Sequence, residues 1–319
     1  MENQEWKVWF RGSFWGHRPD RTRPGREIPV RTRFDWNGHP GLIPAVYLCG
    51  KGLVADICVS APAEEMDAWV AKMLSAPSEE EQERLSRENP VSIRFNAEMT
   101  VNGRMSRQKH GCGVGWLPHP PEKPGNSPEA EKLLEHYGLD RELGWGICRA
   151  AIPWPSGRRP KTIRSLSITV TPGKREITGP RFRAEKDMVL TFPAPEGQLC
   201  TLRFLEAEHQ SLPLPPNMQK EGVEYPNNCQ LLAYTLEGEA EGFRLEDCAS
   251  GDRSRSLRGY ERIGGAAGPG AVFVQRKDGV QTACSASYFA PAPEVEWKAV
   301  FYRRPWPPVT AELPTEGMN

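Results

Sequence analysis

The stretch VSIRFNAEMTVNG, residues 91–103, contains the clearest strand and turn pattern in the chain. Apolar and polar side chains alternate through residues 91–101, which predicts a half-buried β-strand, because successive side chains of a strand point to opposite faces. Asn102-Gly103 follows, and this dipeptide favours a two-residue hairpin turn in which both central residues have positive φ. The apolar face of the predicted strand consists of Val91, Ile93, Phe95, Ala97, Met99 and Val101.

The register of this hairpin bears on the next segment, HGCGVGWLPHP at residues 110–120. A two-residue loop pairs Val101 with Arg104, and a ladder that continued would turn His110 and Cys112 to the apolar side. Two outcomes are open. Either polar side chains line a pocket on that face, or the return strand is short and this segment leaves the sheet as a glycine-rich loop. We favour the loop.

Similar patterns elsewhere predict more antiparallel strands and few helices. Hairpin turns are predicted at Asn37-Gly38 and Asp278-Gly279, and helices at residues 62–74, 78–89 and 127–138. The 30 glycines and 31 prolines suit many short strands joined by turns. We therefore predict a mainly β protein, all-β or α+β with few helices. Its antiparallel sheets are joined by hairpins in a β-sandwich-like arrangement with two β-rich regions.

The domain organisation is inferred from length and from proline-rich segments. A chain of 319 residues is long for one core, so two domains are expected. Candidate boundaries are PHPPEKPGNSP at 118–128 and PWPSGRRP at 153–160. We predict an N-terminal β-rich domain at 1–118 with one or two packed helices and a link with a short helix at 119–144. An antiparallel β domain with a proline-rich tail then occupies 145–319.

The overall composition is that of an ordinary globular protein. There are 41 basic and 41 acidic residues, so no global field draws the chain toward nucleic acid or membranes. No apolar run reaches the roughly 18 residues of a membrane span, and the start MENQEWKVWF lacks the pattern of a secretory signal. We expect a cytoplasmic protein without membrane contact. Its eight cysteines, which include no C-x-x-C pair, are expected to be mostly buried free thiols.

The sequence contains little that predicts catalysis or cofactor binding. His110, Cys112 and His119 could be metal ligands by type, but no fourth ligand is identifiable, and we predict neither a metal nor a cofactor. No G-x-S-x-G elbow and no G-x-G-x-x-G opening a helix occur. A carboxylate pair on a concave sheet face could serve a glycosidase, and Asp56 and Glu98 lie at outward positions of predicted strands.

Two segments are candidates for binding. Trp154 with Arg158 and Arg159 forms a cluster in a predicted loop, where an exposed tryptophan could be a flat platform for a partner. The N-terminal stretch from residue 11 to 33 contains seven arginines against two acidic residues, a net charge of +5, with aromatic residues close by. Arginines beside aromatic rings are suited to single-stranded nucleic acid, through phosphate contacts and base stacking.

These observations predict a non-catalytic binding or assembly protein that uses sheet faces and loops bearing tryptophan and arginine. Its partner would be an unidentified protein or a small polar ligand. One alternative is a hydrolase that acts on glycosides. Its pocket would lie near the first hairpin and would include His110 or Cys112. The other is a single-stranded nucleic-acid binder that uses N-terminal arginines. Its candidate binding residues are Arg21, Arg23 and Arg26. Whether the protein is an enzyme is not decided by the sequence.

Overall fold

The computed structural model describes residues 6–15, 23–121, 125–212, 222–238, 241–256, 279–291 and 294–318, without the side chains at positions 80 and 83. In this part of the chain eighteen strands stand against three helices, which confirms the mainly β class. The chain forms two compact units, residues 1–173 with 304–319 (unit 1) and residues 174–303 (unit 2). No helix in the described ranges is both long enough and apolar enough to cross a membrane.

Unit 1 contains a five-stranded and a four-stranded antiparallel sheet. The order in the first sheet is β1 (Arg26–Trp36), β2 (His39–Leu48), β3 (Gly52–Pro62), β7 (Leu143–Pro153) and β6 (His110–Trp116). The order in the second sheet is β18 (Val309–Glu312), β8 (Leu166–Pro172), β4 (Phe95–Val101) and β5 (Arg104–Arg107). Side chains of both sheets, such as Ile57 and Met99, form one shared core, as in a β-sandwich.

The helices of unit 1 are α1 (Ala63–Ser75), α2 (Glu79–Ser86) and α3 (Pro128–Tyr137), close to their predicted positions. The side chain of Ser127 accepts a hydrogen bond from the amide of Ala130 and caps α3, which ends at Gly138 with φ of 62°. Leu133 and Leu134 of α3 pack on the outer face of the first sheet. Because this sheet is covered on both faces, β3 is buried along nearly its whole length.

The hairpin predicted at residues 102–103 is present, with Val101 opposite Arg104. Both turn residues have positive φ, 49° for Asn102 and 76° for Gly103. The ladder continues to the pair of Glu98 with Arg107 and then ends.

The segment after this hairpin leaves the second sheet, as predicted, but the prediction of a loop is wrong. Residues 110–116 form β6 and pair along β7, with His110 opposite Ala151. The unpaired edge of β7 offers backbone groups that need hydrogen-bond partners, which favours a strand here. Glycine suits this strand at residue 113, because a Cβ atom there would overlap the side chain of Ile93.

Unit 2 contains two further antiparallel sheets and a short ribbon. One sheet has the order β10 (Val189–Pro193), β11 (Leu199–Ser211), β13 (Asn228–Glu237) and β16 (Gln281–Cys284). The other has the order β14 (Phe243–Asp247), β17 (Glu296–Arg303) and β9 (Arg175–Arg183), and the ribbon pairs β12 (Val223–Glu224) with β15 (Arg255–Ser256). Unit 2 has a hydrophobic core of its own, which includes Phe204 and Trp297. The hairpin predicted at Asp278-Gly279 lies partly outside the described residues.

The two units do not follow the boundaries predicted from the proline-rich segments. β7 and β8, expected in a domain at 145–319, belong to the sheets of unit 1, and α3, expected in a link at 119–144, packs on the first sheet. The end of the chain also returns to unit 1 as β18, which pairs with β8. Local composition missed these boundaries because they depend on pairing between strands far apart in sequence.

Candidate functional site

The outer face of the first sheet holds a buried ion pair between Asp56 of β3 and Arg149 of β7. The two residues lie directly opposite each other in the ladder. Arg149 Nε donates to Asp56 Oδ1 over 2.8 Å and Nη2 donates to Oδ2 over 2.7 Å, so the contact is bidentate. Both side chains are almost fully removed from water. A buried charge is costly unless it is paired and hydrogen-bonded. The charges of Asp56 and Arg149 are both paired and hydrogen-bonded.

Two tyrosines extend this pair into a chain of hydrogen bonds. Tyr137, the last residue of α3, donates its hydroxyl to Asp56 Oδ2 over 2.5 Å. The hydroxyl of Tyr47 lies 2.6 Å from that of Tyr137, and Trp6 Nε1 donates to it over 2.8 Å. Burial and the nearby carboxylate of Asp56 raise the pKa of both tyrosines above their ordinary value. Both phenols are therefore neutral at physiological pH.

The guanidinium of Arg149 is enclosed by aromatic rings. It lies 4.5 Å from the ring centre of Phe14, 5.5 Å from that of Trp6 and 5.8 Å from that of Tyr47. Burial disfavours its charge, but the carboxylate of Asp56 outweighs that effect and keeps the pKa of Arg149 above its ordinary value. The contacts with Trp6 and Phe14 hold residues 6–15, the N-terminal segment, against the sheet.

Cys112, one of the predicted site residues, lies at the border of this cluster. It is opposite Arg149 in the ladder and half-buried, and the backbone of Phe14 hydrogen-bonds to its thiol. Burial raises the pKa of Cys112, so the thiol is protonated at neutral pH and is a poor nucleophile. Both oxygens of Asp56 are already engaged. The cluster therefore has the chemistry of a structural clamp and lacks an activated catalytic group.

The prediction that Trp154 is an exposed platform is wrong. Only 2% of its surface is accessible, and its Nε1 donates to the backbone oxygen of Cys49 over 3.0 Å. Trp154 follows the last residue of β7 and fills the end of the core between the two sheets. Its predicted companions Arg158 and Arg159 are exposed, and Arg159 Nη2 donates to the backbone oxygen of Met318.

The structure gathers most of the other predicted residues at one end of the first sheet. The strands β1, β3 and β6 begin at this end, and β2 and β7 finish there. The register shows this, because Arg26 lies opposite Leu48 and Gly52 lies opposite Pro153. We call it the basic end. Its exposed basic and histidine side chains belong to Arg23, Arg26, Lys51, Lys109, His110, Arg158 and Arg159.

The basic end is continuous across the sheet. The amide of Lys109 bonds to Ala151 and that of Trp154 bonds to Lys51, so the flanking loops are tied to the strand ends. Four strand spacings separate β1 from β6, which is about 19 Å. Glu27 lies near this end, and His136 Nε2 contacts its carboxylate over 3.0 Å. Arg21 lies outside the described residues.

The metal hypothesis has no geometric support in the described part of the chain. No group of three or more histidine, cysteine and acidic side chains there is placed to hold a metal ion. His119 instead contacts Asp67 of α1 over 3.0 Å, while His110 is exposed on β6.

Sequence reasoning missed the partners of Asp56, although a signal for them exists. Asp56 is the only charged residue in LVADICV, and Arg149 is the only one in GWGICRAAIP. Two apolar strands that each carry one charge, of opposite sign, indicate a buried ion pair if the strands are neighbours. Tyr47 and Tyr137 lack a comparable signal, because either could be an ordinary core residue.

Comparisons with models of protein families, with curated proteins and with solved structures find no match.

Proposed function

We propose that the protein is a non-catalytic binding protein whose basic end engages a negatively charged macromolecule. The observation that supports this proposal is the convergence of exposed cationic side chains from four separate parts of the chain. Arg23 and Arg26 precede or begin β1, Lys51 lies in the turn before β3, Lys109 precedes β6, and two arginines follow β7.

The physical basis of recognition is local charge. The whole chain is neutral, so attraction of an anion arises only where the cations are concentrated. In about 0.1 M salt this attraction is largely screened at distances beyond about 10 Å. Arginine presents a planar set of donors that matches carboxylate and phosphate groups. A row about 19 Å long favours an extended anion over a single small one.

An acidic protein surface is the partner we favour, and single-stranded nucleic acid is the second candidate. Trp15, at the end of the N-terminal segment, is 51% exposed, and an accessible aromatic ring suits base stacking. A hydrolase gains no support from the buried cluster, because its thiol and phenols are protonated and its carboxylate is paired with Arg149.

The test uses the full chain and two fluorescein-labelled probes, a polyglutamate peptide and an oligothymidylate, with binding followed by anisotropy over a salt series. We expect binding at low salt that weakens as salt rises. The variant R23A/K109A/R158A should weaken binding about tenfold or more, from roughly 0.5 kcal/mol for each exposed charge.

The matched control is R181A/R183A/R203A, which removes three exposed arginines from unit 2. It should leave the affinity of both probes unchanged. Preference for oligothymidylate would favour the nucleic-acid candidate. Absence of binding to both probes at low salt, or an equal loss in the control, would exclude the basic end as the binding surface.

A further inference from the structure

Two of the four cysteines of unit 2, Cys229 and Cys284, lie on the neighbouring strands β13 and β16. In the ladder the amide of Ser285 bonds to the backbone oxygen of Gln230, and the amide of Gln230 bonds to the hydroxyl of Ser285. Each cysteine directly precedes one residue of this pair. The side chain of Gln230 points into the core, where it accepts a hydrogen bond from Trp297. Because side chains alternate along a strand, both cysteines point to the other face of the sheet.

The two thiols lie on the same face of neighbouring strands and interact. A hydrogen bond joins Cys229 to Cys284, and Cys229 Sγ lies 3.8 Å from the backbone oxygen of Gln210 on β11. Diagonal neighbours on antiparallel strands have Cα atoms about 7–8 Å apart, whereas a disulfide usually needs about 4.4–6.8 Å. Bond formation then requires the strands to close by about an ångström. β16 can supply this movement, since it is a four-residue strand and, among the described strands, stands last in its sheet.

We propose that Cys229 and Cys284 are a redox-sensitive pair that forms an intramolecular disulfide by exchange with a small-molecule disulfide such as oxidised glutathione. This inference is independent of the proposed function, because it concerns a different unit and a different chemistry. The link would fasten β16 to its neighbour β13.

The solvent exposure of the two thiols decides which cysteine reacts first. Cys284 is half-buried and Cys229 is buried, so the small disulfide meets Cys284 first. The Cys284 thiolate attacks one sulfur of the reagent, which leaves a mixed disulfide and releases one thiolate. Cys229, after losing its proton to solvent, attacks the Cys284 sulfur and expels the second thiolate. Two protein thiols are oxidised while the reagent is reduced to two thiols.

The pair should react slowly at neutral pH and faster in mild alkali. Burial, the hydrogen bond that its thiol donates to Cys229 and the charge of Asp247 raise the pKa of Cys284 to about 12. Little thiolate therefore exists at neutral pH, and the exchange rate increases as pH rises. This behaviour suits a response to prolonged oxidation more than a rapid sensor.

The experiment treats the reduced full chain with oxidised glutathione at mildly alkaline pH and analyses a non-reduced digest by mass spectrometry. We expect one major product, the peptides of Cys229 and Cys284 joined with the loss of two hydrogens. Cys229→Ser should instead trap glutathione on Cys284. The matched control is Cys248→Ser, which removes another half-buried thiol of unit 2 and should leave the cross-link intact.

Three results would overturn the inference. The first is a stable glutathione adduct on Cys284 in the natural sequence without a cross-link. The second is a cross-link that involves other cysteines in preference to this pair. The third is no reaction at Cys284 under conditions in which Cys248 is modified. None of these outcomes depends on whether the basic end binds an anion.

Discussion

At the scale of single residues, the buried contact between Asp56 and Arg149 connects several parts of unit 1. The pair joins the central strand of the first sheet, β3, to its neighbour β7, and its hydrogen bonds reach α3 through Tyr137. Its aromatic surroundings include the N-terminal segment. Removing one member would leave the other charge without compensation in a region that water does not reach.

We expect Asp56→Asn to lower the free energy of unfolding by about 3–5 kcal/mol, because it leaves Arg149 buried and uncompensated. Urea denaturation measures this loss. The control Glu98→Gln breaks the exposed ion pair with Arg107 and should cost about 1 kcal/mol or less. In the double variant Asp56→Leu/Arg149→Met most of the stability should return. Equal costs for Asp56→Asn and the control would contradict the clamp.

Buried thiols should make stability depend on pH in the alkaline range. Burial raises the pKa of Cys49 from 9.0 to about 11. Below pH 9.0 the thiol is protonated in both states. Above it, the unfolded chain loses the proton while the folded chain keeps it, so stability falls as pH rises toward 11 by about 1.4 kcal/mol per unit at most. Cys49→Ala should make this slope shallower in urea titrations across the range, and an unchanged slope would exclude the effect.

At the scale of elements, two Asn-Gly turns allow a matched comparison. Asn102 and Asn37 both have positive φ, 49° and 54°, and each is followed by glycine. The side chain of Asn102 also accepts from the amides of Arg164 and Ser165 and donates to the backbone of Thr162. The turn at Asn102 therefore fastens the β4–β5 hairpin to the segment before β8.

We expect Asn102→Ala to destabilise unit 1 by about 3 kcal/mol, from the strain of positive φ and the lost side-chain hydrogen bonds. Asn37→Ala should cost about 1–2 kcal/mol, because it introduces the same strain without those three bonds. Denaturant midpoints of the two variants, measured side by side, give the difference. Equal midpoints would mean that the side-chain bonds of Asn102 add nothing.

The elements that local pattern predicts well are those whose partners are close in sequence. Alternation and Asn-Gly predicted β4 and its turn, and caps predicted α3. β6 was missed because its partner β7 begins 27 residues after β6 ends. The candidate site depends on longer separations still, since Asp56 and Arg149 are 93 residues apart. The arginines of the N-terminal stretch and those after Trp154 were predicted as two separate binding candidates, and only the assembled sheet places them at one end.

At the scale of the whole molecule, the chain leaves unit 1 once and returns to it once. Unit 2 is the continuous stretch 174–303, and its first and last strands, β9 and β17, are paired so that Arg175 lies opposite Arg303. Its core cluster contains only its own residues. These are the properties of a domain that can fold alone.

We expect the fragment 174–303 to fold by itself. Trp297 is its single tryptophan and is fully buried, so the emission of the folded fragment should be blue-shifted and should move to longer wavelength in one cooperative urea transition. The unfolded fragment in urea is the reference for an exposed Trp297. Emission in buffer that matches this reference would show that the fragment needs the rest of the chain.

The pairing of β8 with β18 has a consequence for how this architecture could be rebuilt. These strands flank the point where the chain departs and returns, and Val170 lies opposite Val309. Unit 1 is thus a host domain with unit 2 placed in the connection between two paired strands, an arrangement that surface connections tolerate. A short glycine-serine linker in place of residues 174–303 would restore an ordinary hairpin. Host and guest could then be exchanged, evolved or engineered separately.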